Sequence, residues 1–347
     1  MRARRRRSAR RPSERREEAR LTDPKTGSTA RIRSSTPLRY ADGPDAGLDR
    51  PPIVRAASGI VWADTPSGPR LCLCQDDALF LALVDPRDGR VDARPLPAGE
   101  SGVRLFDTLR ANKQDKLDLE SLCVVPTAQG PRLWLVGSGS APVREVVVEV
   151  DLSAEGSIRV VSTARLCAAL RAHPGLRGGA LNLEGACVAG DDLVLLQRGN
   201  GADGTPAVVR VAFAELQAQL AGRGDALPSL RVDPVALPTV DGIALGFTDA
   251  CLLAADRLLF LAAAEASPDV IDDGAVTGST LGILSLGSRP AVEALIPLLE
   301  PDGRPSRRKA EGICLDPERA GLAFVVVDAD DPTTASDLLE VELSIAR

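Results

Sequence analysis

The sequence holds one histidine (His173), one tyrosine and two tryptophans in 347 residues, and aromatics make up 3% of it. A single histidine excludes mechanisms that need two His ligands or a His pair. So few rings leave little with which to stack bases or sugars. No apolar run approaches the roughly 20 residues that a helical bilayer span requires, so no membrane span is expected. Seven cysteines are too few and too scattered for a disulfide scaffold, and favour a reducing, cytoplasmic setting. There is no Gly-rich phosphate loop running into a helix, and no Ser-His pairing to suggest a hydrolase triad.

What is present is an ordinary globular composition, 44% hydrophobic and 26% charged, with unevenly placed charge. Residues 1–20 contain ten Arg and three Glu and carry +7; the whole chain is −6, so residues 21–347 carry −13. An acidic body repels nucleic acid. The basic segment lacks the apolar centre of a secretory signal. Residues 1–29 are therefore expected to be a basic, disordered extension, and residues 30–347 one domain, a monomer.

Internal repetition is the most informative feature. Four segments align: Leu117–Pro126, Leu181–Gly190, Leu245–Ala254 and Arg308–Pro317. Their cysteines, Cys123, Cys187, Cys251 and Cys314, are spaced by 64, 64 and 63 residues. One unit earlier, Val54–Asp64 puts Val61 at the cysteine position, 62 residues before Cys123. After each motif come a turn and a second apolar run: Arg70–Cys74, Arg132–Val136, Asp192–Leu196, Arg257–Ala262 and Leu322–Val327. Third and fourth runs follow in most units, such as Arg144–Asp151 with Ser157–Ser162, and Ala207–Val211 with Leu230–Val235. Short β runs with Gly, Pro and Asp turns at this period predict four-stranded antiparallel sheets repeated about an axis. The expectation is an all-β, five-bladed β-propeller, with six blades as the alternative. The last unit has three runs, ending at Leu338–Ile345, and Ala30–Tyr40 has no unit of its own. The N-terminal strand is therefore expected to close the last blade from outside. Ala212–Ala221 has helical spacing.

The residue three places before each Cys heads the first strand of its unit. In a propeller these heads, Ser58, Glu120, Glu184, Thr248 and Glu311, converge on the central channel. Three carboxylates held together repel and raise one another's pKa, and a cation removes that cost. An all-oxygen ring without His or Cys suits a hard ion, which points to one Ca²⁺. The ends of the second runs form a polar collar at Asp76-Asp77, Ser138 to Ser140, Gln197 to Asn200, Glu265 and Asp328 to Asp331. The loops entering the motifs add Lys113, Lys116, Arg177 and Arg307 to Lys309. A cation-lined mouth of this kind is expected to draw an anionic small molecule, with Lys113, Lys116, Arg177, Asn200 and Arg308 as its binding residues.

With these residues in place, the chain resembles the calcium-dependent apyrases, or soluble calcium-activated nucleotidases. Those are five-bladed propellers with one channel Ca²⁺, whose blade heads run Ser, Glu, Glu, Ser, Glu. Here Thr248 replaces the second Ser. Glu184-Gly185-Ala186, Gly246-Phe247-Thr248 and Glu311-Gly312-Ile313 are similar to that family's blade motifs. The resemblance implies an Asp-Asp pair at Asp76-Asp77 and a charge-stabilising Arg198, which would be catalytic residues of a nucleotide or phosphoester hydrolase. Ala78-Leu79 stand where the family has the start of an Arg-Thr-Gly, and Arg198 has no second Arg beside it. The motifs cover residues 55–330 and also resemble bacterial phytase-like esterase and SdiA-regulated propellers. Three functions follow: a calcium-centred propeller that binds an anion, a calcium-dependent hydrolase, and a protein-interaction propeller stapled by the ion. The repeat cysteines, with Cys72 and Cys74, read as packing residues. His173 reads as a loop residue, and Asp272-Asp273-Gly274 as a turn near the channel mouth.

Overall fold

The structure, a computed structural model, describes residues 27–99, 102–153, 156–176, 179–199, 204–224, 226–265 and 276–346. It is mostly β and propeller-like. Strand β1 (Thr29–Pro37) precedes three four-stranded antiparallel sheets. The first is β2 (Ala57–Thr65), β3 (Gly68–Gln75), β4 (Phe80–Val84) and β5 (Val91–Pro95). The second is β6 (Leu119–Val125), β7 (Arg132–Gly137), β8 (Val146–Val150) and β9 (Ile158–Ser162). The third is β10 (Leu183–Ala189), β11 (Asp192–Gln197), β12 (Ala207–Ala212) and β13 (Arg231–Pro234). Strands β14 (Thr239–Val240), β15 (Ile243–Ala254), β16 (Arg257–Glu265), β17 (Val276–Ser285) and β18 (Ala291–Leu299) follow, then β19 (Lys309–Leu315), β20 (Leu322–Asp328) and β21 (Asp337–Ser344).

These last eight strands and β1 form one nine-stranded sheet in the order β14-β15-β16-β17-β18-β1-β21-β20-β19. Strand β1 lies antiparallel to β21 from Thr29↔Ser344 to Pro37↔Asp337, where a fourth strand of the last unit would stand. It also pairs in parallel with β18 through Ala30↔Leu298, which welds two sheets into one. The sequence pattern predicts the first pairing and not the second.

The first strands pack on one another in the order β2, β6, β10, β15, β19 and back to β2. Apolar side chains fill the wedges between successive units. Cys123 lies with Leu183, Ala186 and Leu195 of the third sheet, and Cys187 with Phe247 and Ala250 of the next. Cys314 lies with Ile60 and Leu71 of the first. All seven cysteines are free thiols. Burial pushes Cys123 and Cys72 up to about 12, as befits packing residues with no nucleophilic role.

Helix α2 (Phe213–Leu220) stands where the pattern places it, with Phe213, Leu216 and Gln219 buried. Helix α1 (Ala164–Ala172) is a second helix, whose Leu166, Cys167 and Leu170 face the core at 3–4 residue spacing. His173 follows it, and its Nδ1 accepts the Gly175 N–H at 3.1 Å. Asp272-Asp273-Gly274 lies outside the described residues.

Candidate functional site

The geometry starts from the pairing of each first strand with its second. In β2 the register slips between Ala57 and Gly59, and in β6 between Leu119 and Ser121. It slips between Leu183 and Gly185 in β10, Phe247 and Asp249 in β15, and Ala310 and Gly312 in β19. The residue skipped each time is Ser58, Glu120, Glu184, Thr248 or Glu311. A bulge puts two residues opposite one and re-aims a side chain out of the pleat. The five heads thus share one backbone defect at one register position.

The residue after each head must be small where the first strands touch. A Cβ on Gly59 would lie 3.0 Å from the Ser121 Cα, and one on Gly312 would lie 2.9 Å from the Gly59 Cα. The remaining three positions hold Gly185, where a Cβ would lie 3.2 Å from the Ala250 N, and Ser121 and Asp249. The Ser121 Oγ and Asp249 Oδ1 are buried without a partner, while Asp249 Oδ2 accepts the Ile313 N–H at 2.9 Å. Burial holds Asp249 well above the ordinary carboxyl range.

Ser58, Glu184, Thr248 and Glu311 are buried and Glu120 nearly so. The Ser58 hydroxyl donates to the Ala56 carbonyl at 3.3 Å and the Thr248 hydroxyl to the Ala310 carbonyl at 2.8 Å, which leaves their lone pairs as acceptors. Burial raises Glu120 well above its ordinary value, and the negative charges of Glu184, Asp118 and Asp76 add to this. Burial likewise raises Glu184, with Arg198 opposing. Glu311 is pushed up to about 8 by burial, against the pull of Lys309 and Arg198. Its Oε2 is buried and has no hydrogen-bond partner.

Four cations reach into this acidic centre. The Lys116 Nζ is 2.7 Å from both Asp76 and Asp118. Asp118 also accepts from Arg144 at 2.8 Å and from the Ser138 hydroxyl. Arg198 bridges Glu184, at 3.2 Å, and Glu265. Lys309 bridges Asp330, at 2.8 Å, and Glu311, at 3.3 Å. Burial opposes the charge on Lys116 and on Arg198, but the surrounding carboxylates hold both ionised well above their ordinary ranges. Asp76, Asp118 and Glu120 each offer an oxygen within 4.8 Å of the others, a spacing suited to a metal ion.

A cavity of about 400 Å³ opens over this edge of the centre, lined by Arg55, Asp76, Asp77, Lys113, Lys116 and Asp328 among others. It joins two of the expected catalytic residues, Asp76 and Asp77, to two of the expected binding lysines. Asp77 accepts from the Arg55 Nε at 2.8 Å and also from its Nη2. Burial and the charge of Asp76 push Asp77 up to about 6. Arg198 is not in this cavity; its guanidinium is turned to Glu184 and Glu265. Arg308 lies elsewhere, on Glu300 at 3.3 Å and Asp337 at 3.0 Å. Lys113 has a partner too. Arg177 and Asn200 lie outside the described residues. The mouth is therefore less cationic than its lysines and arginines suggest, because the neighbouring carboxylates already engage them.

Residues missed by the motif reading are Arg55, Asp118 and Asn182, while Glu265 and Lys309, expected in the collar and the rim, stand as partners of Arg198 and Glu311. Asp118, Asn182 and Lys309 each lie two residues before a head, and residues two apart on a strand share a face. That signal was available in the aligned motifs.

A family model described as a family of unknown function, DUF6929, matches residues 53–343, from just before β2 into β21. The chain belongs to that family. No curated protein matches the sequence. Among solved structures, a glucose dehydrogenase is 14% identical, with 84% of each chain covered and a TM-score of 0.38. A GH93 α-L-arabinofuranosidase of Fusarium graminearum, solved with arabinobiose, is 9% identical over 90% of this chain and 98% of that one, with a TM-score of 0.43. A DUF4221 member from Bacteroides vulgatus is 8% identical over 92% and 99%, with a TM-score of 0.40. At such TM-scores these likenesses decide neither mechanism nor substrate. No helix among the described residues is long and apolar enough to cross a membrane.

Proposed function

We propose that the chain is a five-bladed propeller centred on a hard divalent cation, calcium, and that an anionic small molecule binds at the channel mouth through that ion. The observation that carries this reading is the bulge repeated at Ser58, Glu120, Glu184, Thr248 and Glu311. The donor set fits the ion. All five donors are oxygens, and Ca²⁺ accepts about 6–8 of them in flexible geometry. Glu311 Oε2 is a buried acceptor with nothing to accept from. The ion would also relieve the mutual repulsion that raises the three glutamates. Because Lys116, Arg198 and Arg308 are held by carboxylates, an anion would depend on the ion for its positive partner.

The test is thermal unfolding after chelation, with Ca²⁺, Mg²⁺ or Mn²⁺ added back, then with inorganic phosphate or nucleotides. Calcium should raise the melting temperature, since a ligand of the folded state alone stabilises it by about 2.7 kcal/mol at a hundredfold excess over Kd. Phosphate should add to the shift only when calcium is present. No shift with any of the three metals would remove the reading.

A second reading, a calcium-dependent phosphoanhydride or phosphoester hydrolase, is favoured by the cavity at Asp76-Asp77. An acid whose proton leaves at about pH 6 could position or deprotonate water beside the ion. Asp77→Asn should abolish calcium-dependent phosphate release from ATP while sparing calcium binding; no release from the wild-type chain sinks this reading alone.

A further inference from the structure

We infer that Lys116 is a tethered counter-cation that competes with the metal ion for the acidic centre, so that the ion is an exchangeable ligand rather than a permanent staple. This rests on the calcium reading above and concerns its regulation. The Lys116 ammonium sits 2.7 Å from Asp76 and from Asp118, two of the three carboxylates whose oxygens have metal-ligand spacing, and within electrostatic reach of the third, Glu120. A divalent ion drawn to those oxygens meets a positive charge already in place.

The arrangement recurs around the ring. Arg198 stands on Glu184 and Lys309 on Glu311, so two of the three ring glutamates are paired with an internal cation, while Lys116 acts on Glu120 only through space. A centre built only for a permanently bound ion has no use for cations that repel it. Yet the centre is not fully neutralised, since four cations, counting Arg144 on Asp118, engage six carboxylates and Glu311 Oε2 is left unpartnered. Charge capacity for the ion remains, at reduced affinity.

Lys116 is the cation able to yield. Its ammonium ends a flexible four-carbon stem, and the residue lines the cavity of about 400 Å³ into which it can withdraw. Arg198 is enclosed between two carboxylates and lines no part of that cavity. Ion uptake thus moves a lysine from the centre to the mouth. There it becomes available to an anion only in the ion-bound state, a coupling that by linkage runs in both directions.

The test uses the full chain, wild type and Lys116→Met, melted in chelator and in calcium, with calcium titrated calorimetrically. Lys116→Met should melt below wild type in chelator, where Asp118 loses a partner, and regain most of that loss in calcium. Its calcium affinity should be on the order of tenfold higher, within the usual span of coupling between sites. An equal loss in chelator and calcium with unchanged affinity, or failure to fold in either, would leave the calcium reading standing and overturn the competition. No response of either protein to Ca²⁺, Mg²⁺ or Mn²⁺ overturns both.

Discussion

At the scale of residues, Glu120 and Arg198 are the most informative. Among the described residues Glu120 makes no ion pair within 4.0 Å, and its charge is disfavoured by burial and three acidic neighbours. Glu120→Gln should therefore keep or raise the melting temperature in chelator and cut the calcium-induced rise. A loss of equal size in both conditions would mean the side chain holds no ion. Glu184 is a poorer probe, because Asn182 and Arg198 both hydrogen-bond to its Oε1. The sequence suggests that Arg198→Ala spares stability and weakens anion binding. The ion pairs of Arg198 reverse the stability half of this expectation. Removing Arg198 leaves Glu184 and Glu265 buried without their cation, a change that costs about 3–5 kcal/mol in comparable buried pairs. Denaturant unfolding in chelator would measure it, and an unchanged midpoint would mean the pairs contribute nothing.

At the scale of elements, the bulged first strand is the unit of design. It takes the head residue out of the regular pleat, and where a glycine follows the head, as at Gly59 and Gly312, neighbouring first strands meet backbone to backbone. Gly312→Ala would place a methyl 2.9 Å from the Gly59 Cα and from the Ile60 N, atoms that cannot turn aside. Such overpacking costs about 1–3 kcal/mol, and unfolding in denaturant should show it. An unaffected midpoint would mean that the strands separate easily there. Strand β1 carries the other junction. Ala30 and Ile32 are buried in the cluster shared by β16, β18, β20 and β21. Deleting residues 1–37 should lower the melting temperature much more than deleting residues 1–26, because only the longer cut removes the strand that welds β18 to β21. The second runs, β21 and α2 were legible from apolar spacing and turn residues. The pairing of β1 with β18 was not, since a parallel contact of two residues between distant segments leaves no periodic trace.

For the whole molecule, the concentration of acid about one axis sets the response to pH. A carboxyl held above its ordinary value keeps its proton in the folded chain after the unfolded chain has released it. Its stabilising effect is therefore present at low pH and lost as pH rises through the folded value. The window runs from 3.8 to about 6 for Asp77 and from 4.5 to about 8 for Glu311. In chelator the melting temperature should fall from about pH 5 to pH 8, and Glu311→Gln should flatten the upper part of that slope. Calcium should flatten it in the wild-type chain by taking the place of the protons. A melting temperature that instead rises over this range in chelator would mean the carboxyls are ionised and satisfied without an ion.

By itself the sequence determined the repeat, the strand order within each unit and the oxygen chemistry of the heads. These are local properties, written in apolar period, turn residues and a near-constant spacing. Tertiary structure alone decided which charges meet. Lys116 reads as a rim residue in the chain, and its loop carries it to Asp76, 40 residues away. Arg198 reads, through the resemblance, as a charge-stabilising residue of a hydrolase, and the fold sets it on Glu265, 67 residues away. Whether a lysine offers its charge to a ligand or spends it on a neighbour depends on the carboxylates that the ring closure brings beside it, and no local pattern records that.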